Sequence, residues 1–208
     1  VIILQKLIED MEGCLEVDFA NRYIGGGVMR HGAVQEEIRF LSCPELMVSI
    51  FLCEKMEPNE AILIHGAQQY SAYSGYMSKV KHVSMEFKRN APRDRFGRAR
   101  SYLVAIDATK FFQKDKQYEM QFVTRELKKA NAGFMLLGSD APARPIVTGN
   151  WGCGVYNGDK ELKSLLQLIA ASKAGRPMIY TTFKDEQFAE QLEQMYDEMK
   201  GHNLTNGE

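Results

Sequence analysis

The sequence has 208 residues, 45% of them apolar and 25% charged, and its 26 basic and 27 acidic residues give a formal net charge of −1. This composition predicts one soluble domain with a substantial core, and it excludes a disordered chain or a collagen-like repeat. The longest apolar runs, such as 1–4 and 103–106, are too short to span a bilayer, and no signal pattern opens the chain. We therefore expect no membrane association. The near-zero net charge argues against direct DNA binding.

The apolar pattern predicts strands and helices that alternate along the chain. Short apolar runs predict strands over 1–8, 15–18, 61–64, 102–108, 146–148 and 178–182. Helical spacing and capping residues predict helices from about 33–37, over 44–55 and 117–130, from Asp159, and from about 188 to Gly201. The helix over 44–55 is expected to place Leu46, Met47, Ile50 and Phe51 together on one apolar face. This alternation predicts a single α/β domain without repeats or linkers.

Charge is segregated along the chain although its total is close to zero. Residues 79–100 contain eight basic and two acidic residues, whereas residues 185–208 contain seven acidic residues against one lysine. Pro92 and Gly97 indicate that the basic stretch is a loop, which is either solvated or binds a partner. We interpret the acidic stretch as a solvated helix face.

The four cysteines, Cys14, Cys43, Cys53 and Cys153, lie far apart and form no Cys-x-x-Cys pair. No histidine stands at zinc-ligand spacing, so we expect neither a metal nor another cofactor. Reduced thiols are typical of a nuclear or cytoplasmic protein, and we expect that localisation.

Two glycine-rich loops are each predicted between a strand and a helix. Residues 25–27 are a glycine triplet, and residues 149–154 read Gly-Asn-Trp-Gly-Cys-Gly ahead of the helix capped by Asp159. Such loops let backbone amides approach a phosphate, although a plain tight turn is the alternative for each. Neither loop has the Gly-Lys-Ser/Thr of a nucleoside triphosphatase or the spacing of a dinucleotide fingerprint.

Three carboxylates lie close in sequence to the glycine triplet. Asp18 ends the strand before it, and Glu36 and Glu37 stand in the first turn of the helix after it. Acidic residues are common there because they interact favourably with the helix dipole. If both glutamates face a cleft, they point about 100° apart, so one would contact ligand hydroxyls and the other would transfer a proton.

Three segments together resemble the signature of the poly(ADP-ribose) glycohydrolase family. They are Val-Asp-Phe-Ala-Asn at 17–21, the glycine triplet at 25–27 and Gln-Glu-Glu at 35–37. The likeness continues through 59–76, 103–107, 148–159 and 180–185. The resemblance implies a macrodomain, with a mixed central sheet between helices, as one catalytic domain over 1–208 that lacks the accessory helical segment of larger relatives.

The resemblance also implies an activity and partners. The expected reaction is hydrolysis of the ribose–ribose O-glycosidic bonds of poly(ADP-ribose), which releases ADP-ribose through an oxocarbenium-like transition state. The implied partners are this polymer, its product and poly(ADP-ribosyl)ated proteins, in the response to DNA damage, and we expect a monomer. The alternative is a macrodomain that only binds ADP-ribose. The basic stretch at 79–100 is then expected to guide the polymer weakly towards the site.

The catalytic set implied by the resemblance comprises the three carboxylates. Glu37 matches the glutamate that protonates the leaving ribose oxygen and then activates water. Glu36 matches the residue that holds ribose hydroxyls, and Asp18 and Asn21 match the polar residues beside it.

The substrate-binding set implied by the resemblance is larger. Gln35 and Glu9 match residues at the adenosine end, and Tyr76 and Phe183 match aromatic residues that pack against adenine and substrate. The remaining members belong to the two glycine loops: Gly25, Gly26, Gly27, Asn150, Gly152, Cys153, Gly154, Val155 and Tyr156.

Two positions depart from the family, and two other residues have simpler interpretations. Many members have Phe-Gly where this chain has Tyr156-Asn157, so the adenosine-side pocket is expected to differ in shape and polarity. Trp151 is interpreted as a core anchor for its loop. His65 is interpreted as a hydrogen-bonded neutral imidazole.

Overall fold

A computed structural model describes residues 2–4, 6–85, 93–135, 144–202 and 205 of the chain. Lys88, Arg89 and Pro92 of the basic stretch lie outside the described residues.

The described residues form eight strands and five α-helices. The strands are β1 (Ile2–Leu4), β2 (Leu15–Ala20), β3 (Ile62–His65), β4 (Ala72–Ser74), β5 (Lys81–Ser84), β6 (Tyr102–Asp107), β7 (Ile146–Gly149) and β8 (Met178–Thr181). The helices are α1 (Gln35–Ser42), α2 (Met47–Leu52), α3 (Met120–Met135), α4 (Lys160–Lys173) and α5 (Glu186–Gly201). Short 3₁₀ helices stand at Ile8–Asp10, Pro44–Leu46, Met77–Lys79 and Lys114–Tyr118.

Six strands build one mixed sheet in the order β1-β8-β7-β2-β6-β3. Neighbouring strands are parallel except β3, which runs antiparallel to β6. Strands β4 and β5 form a separate antiparallel hairpin. Because β2, β6, β7 and β8 run in one direction, their carboxyl ends meet at one edge of the sheet, where α/β proteins bind ligands.

The core lies on both faces of this sheet. Alternate residues of β6, such as Val104 and Ile106, pack with residues of α3, α4 and α5, whereas Leu103 and Ala105 pack with α1 and the 3₁₀ turn that follows it. The same alternation in β2 sends Leu15 and Val17 towards the first face. Alternation of side chains therefore places Asp18 on the face covered by α1.

The structure confirms the predicted single α/β domain with a mixed central sheet between helices. The first strand is shorter than predicted, because β8 pairs only with Ile2–Leu4 and the chain then turns into a 3₁₀ helix. The helix predicted over 44–55 begins as a 3₁₀ turn with three residues per turn, and its apolar face is shifted. Phe51 therefore does not share the burial of Leu46, since its side chain is 81% exposed.

Candidate active site

A cleft of about 560 Å³ opens at the carboxyl ends of β2, β6 and β7. Residues 31–34 and the start of α1 form one wall, and the loop after β7 forms another, whereas the glycine triplet at 25–27 does not line the cleft. Ten of the predicted site residues line it: Asn21, Gln35, Glu36, Glu37, Tyr76, Asn150, Gly152, Gly154, Val155 and Tyr156.

The glycine triplet wraps around the carboxylates of Glu36 and Glu37. The two oxygens of Glu36 accept hydrogen bonds from the backbone N–H groups of Gly25 (2.6 Å) and Asn21 (2.9 Å). A Cβ at Gly26 would lie 2.6 Å from oxygens of both glutamates, and Gly26 has a φ of +50°. Only glycine meets both conditions, so the triplet and the Gln-Glu-Glu segment form one unit.

Glu37 is fixed between the triplet and the start of α1. Its Oε1 accepts the N–H of Gly27 and its Oε2 accepts the N–H of Val34, both at 2.9 Å. The side chain lines the cleft while the residue is only 5% exposed. This carboxyl group is therefore held in one orientation at a water-poor position, as a general acid or base requires.

Asp18 lies beneath these two glutamates and does not line the cleft. It is fully buried, and neither carboxylate oxygen has a hydrogen-bond partner among the described residues. Burial raises the pKa of Asp18 to about 8; the nearby Arg39 opposes this rise and Glu37 adds to it. Burial, with Asp18 next, also raises the pKa of Glu36, against the effect of its two backbone donors. The site thus contains two buried carboxyl groups beside Glu37, Asp18 and Glu36, and the first of them raises the pKa of the second.

The loop between β7 and α4 presents unpaired backbone donors to the cleft. Within the described residues, four of its N–H groups donate to no protein acceptor: those of Gly152, Gly154, Val155 and Tyr156. Its fold depends on Gly152, which has a φ of +74° and whose Cβ would lie 2.6 Å from Ala108. An anion that entered here would meet several donors at once.

Trp151 anchors this loop in the core, as predicted. It is fully buried, its indole N–H donates to the carbonyl of Ile106 at 3.0 Å, and the Nζ of Lys163 lies 3.8 Å from the ring centroid. The Cys153 side chain turns away from the cleft towards a second cavity, and burial raises its pKa to about 12. Any contact between Cys153 and a ligand in the cleft would therefore involve its backbone rather than its thiol.

Tyr156 and Asn157 occupy the positions where the chain departs from the Phe-Gly of many family members. The Tyr156 hydroxyl accepts a 3.0 Å hydrogen bond from the side-chain amide of Asn21, across the cleft. Asn157 has a φ of +59°, and its side chain donates to the carbonyl of Phe111. Because asparagine adopts the left-handed region more readily than other non-glycine residues, it preserves the turn that glycine would make.

Two predicted aromatic residues meet at the cleft. The rings of Tyr76 and Phe183 lie 5.5 Å apart, although only Tyr76 belongs to the lining. Phe183 has a φ of +54°, and so does Met77, which also lines the cleft. Such backbone strain is concentrated at functional sites.

Gln35 and Glu9 occupy different surroundings. The side-chain oxygen of Gln35 accepts the N–H of Phe19 at 2.8 Å, and its amide donates to the carbonyl of Val17 at 3.2 Å, so this residue ties α1 to β2. Glu9 is half-buried in the first 3₁₀ helix and does not line the cleft. The contacts of both residues with an adenosine stay predictions.

Several lining residues were not expected from the sequence, including His31, Gly32, Met77 and Ser78. Gly32 matters most, because a Cβ there would lie 2.5 Å from the Oε1 of Glu37. Spacing alone gives no signal for it. The described residues contain no group of three or more His, Cys, Asp or Glu side chains arranged to hold a metal ion. None of their helices is both long and apolar enough to cross a bilayer.

A mixed sheet with helices on both faces and a cleft at its carboxyl edge defines a macrodomain-type α/β protein. Two solved structures share this fold. One is a poly(ADP-ribose) glycohydrolase from Thermomonospora curvata, bound to the inhibitor ADP-HPD. Its alignment covers 88% of this chain and 73% of the Thermomonospora curvata chain, with a TM-score of 0.56 at 14% identity. The Oceanobacillus iheyensis macrodomain matches 88% and 84% with a TM-score of 0.53 at 14% identity.

Sequence comparison identifies the family. The family model for poly(ADP-ribose) glycohydrolase, macrodomain fold, matches residues 1–190 of this chain. The chain therefore belongs to this family. It is 45% identical over 98% of its length to poly(ADP-ribose) glycohydrolase 1 of Caenorhabditis elegans and 40% identical over 97% to glycohydrolase 2 of that organism. The chain spans 27% and 44% of the lengths of these two relatives.

Proposed function

We propose that this protein hydrolyses the ribose–ribose O-glycosidic bonds of poly(ADP-ribose) and releases ADP-ribose. The observation that carries the proposal is the position of Glu37, which lines the cleft and is oriented by the N–H groups of Gly27 and Val34. Membership of the glycohydrolase family supports the same reaction. A domain that only binds ADP-ribose has no need for a carboxyl group fixed in this way.

The chemistry assigns two successive roles to Glu37. Its protonated carboxyl group donates a proton to the leaving ribose oxygen as the bond from the anomeric carbon to that oxygen breaks, which leaves an oxocarbenium-like centre. The resulting carboxylate then accepts a proton from a water molecule that attacks the anomeric carbon. One glycosidic bond and one water become two hydroxyl groups, and Glu37 regains its proton.

The walls of the cleft provide the binding groups. The free N–H groups of the loop after β7 are suited to the diphosphate, whose negative charge would in turn stabilise the oxocarbenium-like centre. Tyr76 and Phe183 offer flat surfaces for adenine or ribose. Glu36 lines the cleft next to Glu37, where remaining lone pairs of its carboxyl oxygens can accept ribose hydroxyls.

The wider setting of the protein follows from the same proposal. Its partners are the polymer, free ADP-ribose and poly(ADP-ribosyl)ated proteins, and it acts as a monomer in the nucleus, the cytoplasm or both, in the response to DNA damage. All four cysteines are free, which supports a reducing compartment. Fractionation of the tagged protein tests the location, and light scattering tests the oligomeric state.

The experiment that tests the reaction is incubation of the protein with purified poly(ADP-ribose), followed by chromatography of the products. We expect free ADP-ribose to accumulate at the expense of long chains. Binding of ADP-ribose without any release from the polymer would instead establish the alternative, a macrodomain that only binds ADP-ribose.

A further inference from the structure

The basic stretch at 79–100 is divided between opposite edges of the sheet. Lys79 and Lys81 stand beside Met77 and Ser78, which line the cleft. Residues 93–100 instead lead directly into the first residue of β6, at the amino ends of the parallel strands. Six residues of β6 separate this edge from the cleft, on the order of 17 Å. The described residues of the basic stretch therefore do not form one continuous surface.

Six arginines and one phenylalanine at the amino edge of the sheet form a surface that we call the basic end. Its members are Arg93, Arg95, Phe96, Arg98, Arg100, Arg144 and Arg176. A turn places residues 94–98 outward, because Asp94 accepts hydrogen bonds from the backbone N–H groups of Phe96 (2.8 Å) and Arg98 (3.0 Å).

Contacts at the sheet edge connect residues 93–100 of the basic end to Arg144 and Arg176. Tyr102 stacks on His65 at 4.3 Å, and the guanidinium carbon of Arg144 lies 3.9 Å from the Tyr102 ring centroid. Arg176 donates to the Arg144 carbonyl at 3.2 Å. Burial is the main cause that lowers the pKa of His65; Arg98 and Arg144 lower it further, and Asp94 opposes them.

Among the described residues, few carboxylates offset this charge. Asp94 is paired with Arg98 at 2.7 Å, and Glu12 and Glu45 lie near Arg144 and Arg93 through their neighbours Gly13 and Gln68. In this part of the chain, six arginines thus face three carboxylates. Arg93, Arg95, Arg98 and Arg100 are all exposed.

An aromatic ring stands within this charge. Phe96 is 66% exposed, and the guanidinium carbons of Arg95 and Arg98 lie 4.8 and 5.0 Å from its ring centroid. Exposed aromatic rings flanked by arginine are suited to stacking with a base while the cations contact phosphates.

We propose that the basic end is a second binding site for poly(ADP-ribose), which holds a stretch of the chain remote from the bond being cut. The proposal rests on the proposed function, since each unit of that substrate carries two phosphate charges and one adenine. Because binding at two places on one polymer is intramolecular, long chains gain affinity and short ones do not. Free ADP-ribose has no such second attachment.

The test compares binding of long chains and of ADP-ribose. Three proteins carry Glu37→Gln, so that chains stay intact: the single variant, one with Arg95→Gln and Arg100→Gln, and a control with Lys116→Gln and Lys128→Gln. Both pairs remove two exposed charges, but only the first lies at the basic end. Fluorescence anisotropy gives Kd for chains above 20 units and for ADP-ribose at several salt concentrations. A fourth protein with Phe96→Ala tests stacking separately.

We expect the arginine variant to bind long chains about tenfold more weakly. The slope of log Kd against log salt concentration should be smaller by about 1.4, if each of the two lost contacts contributes as in single-stranded nucleic acid. The control pair should match the parent, Phe96→Ala should weaken long-chain binding, and ADP-ribose binding should not change.

Equal Kd values and slopes in all proteins would overturn the proposal. Tighter binding of single-stranded DNA of equal charge through the same arginines would assign the basic end to nucleic acid instead. Absence of polymer cleavage by the wild type would contradict the proposed function without touching this result.

Discussion

At the scale of single residues, the site is built by backbone donors that surround two adjacent carboxyl groups. Glu36 and Glu37 each accept two backbone N–H groups from the chain that runs from Asn21 to Val34. The Gln-Glu-Glu segment was recognisable from the sequence because it is local and follows a glycine triplet. The close approach that Gly26 and Gly32 permit depends on the folded loop, and a single sequence does not reveal it.

Gly32 should be as intolerant of a side chain as the glycine triplet. A Cβ there would lie 2.5 Å from the Oε1 and 2.6 Å from the Cδ of Glu37. We expect Gly32→Ala to displace this carboxyl group and lower kcat for polymer hydrolysis by at least about tenfold, as misplacement of a reacting group by a fraction of an ångström does. Gly201→Ala, where nothing lies within 4 Å, is the matched control and should leave kcat unchanged. Equal rates for both variants and the wild type would show that Glu37 does not need this orientation.

Asp18 should make the protein less stable as the pH rises. Its pKa in the folded state is raised to about 8 by burial, against 3.8 ordinarily, so the folded state holds a proton that the unfolded chain has released. The free energy of unfolding must then fall between pH 4 and pH 8. We expect Asp18→Asn to remove the share of this fall that Asp18 causes and to gain about 3 to 4 kcal/mol over the wild type on going from pH 5 to pH 8.

Urea unfolding of both proteins at pH 5, 6, 7 and 8 measures this difference. Parallel curves for the wild type and Asp18→Asn would mean that Asp18 is ionised in the folded protein and that Arg39 compensates its burial. The polymer-hydrolysis assay on the same samples shows separately whether the gain in stability accompanies a loss of activity.

At the scale of elements, a buried network of charged side chains joins β6, α3 and α4 beneath the loop after β7. Lys163 of α4 contacts Glu126 of α3, and Glu126 also accepts from the hydroxyl of Thr109 at 2.8 Å. Arg125 and Lys129 of α3 pair with Asp107, at the end of β6. The network therefore fixes the helices against the strand whose end forms the floor of the cleft.

Removal of one partner from this network should lower the free energy of unfolding more than removal of both partners. Glu126→Gln leaves the Lys163 ammonium buried without its carboxylate partner, in contact with the Trp151 ring. We therefore expect a loss of about 3 kcal/mol in the free energy of unfolding. Glu126→Gln combined with Lys163→Met should recover at least half of it. Glu57→Gln, which breaks the surface pair with Lys55, is the control and should have little effect. A double variant less stable than Glu126→Gln would refute this account.

Element types were largely predictable from the sequence, whereas the hairpin was not. The strands β6, β7 and β8 are largely apolar runs because both of their faces are covered, and such runs are easy to recognise. In β2 apolar residues alternate with Glu16 and Asp18, a pattern that also predicts a strand. Strands β4 and β5 are partly buried or exposed, so they lack that pattern. The exposure of Phe51 was not predicted, because the helix begins as a 3₁₀ turn over Pro44–Leu46 and this changes which residues face inward.

At the scale of the whole molecule, the parallel sheet separates two kinds of surface. Its carboxyl edge holds the cleft with Glu37, and its amino edge holds the basic end. The sequence showed that charge is segregated along the chain, but distance along the chain did not show that residues 79–81 and 93–100 lie at opposite edges. Since the net charge is −1, only the folded arrangement shows where a polyanion can bind.

The central claim is that Glu37 performs the proton transfers of poly(ADP-ribose) hydrolysis. The most direct test is the rate of ADP-ribose release from saturating polymer by the wild type and by Glu37→Gln, with the Kd for ADP-ribose measured on both. We predict a fall in kcat of at least about 10³-fold, since one group acts as both acid and base, with the Kd for ADP-ribose changed by less than about threefold. Undiminished release by Glu37→Gln would contradict the account.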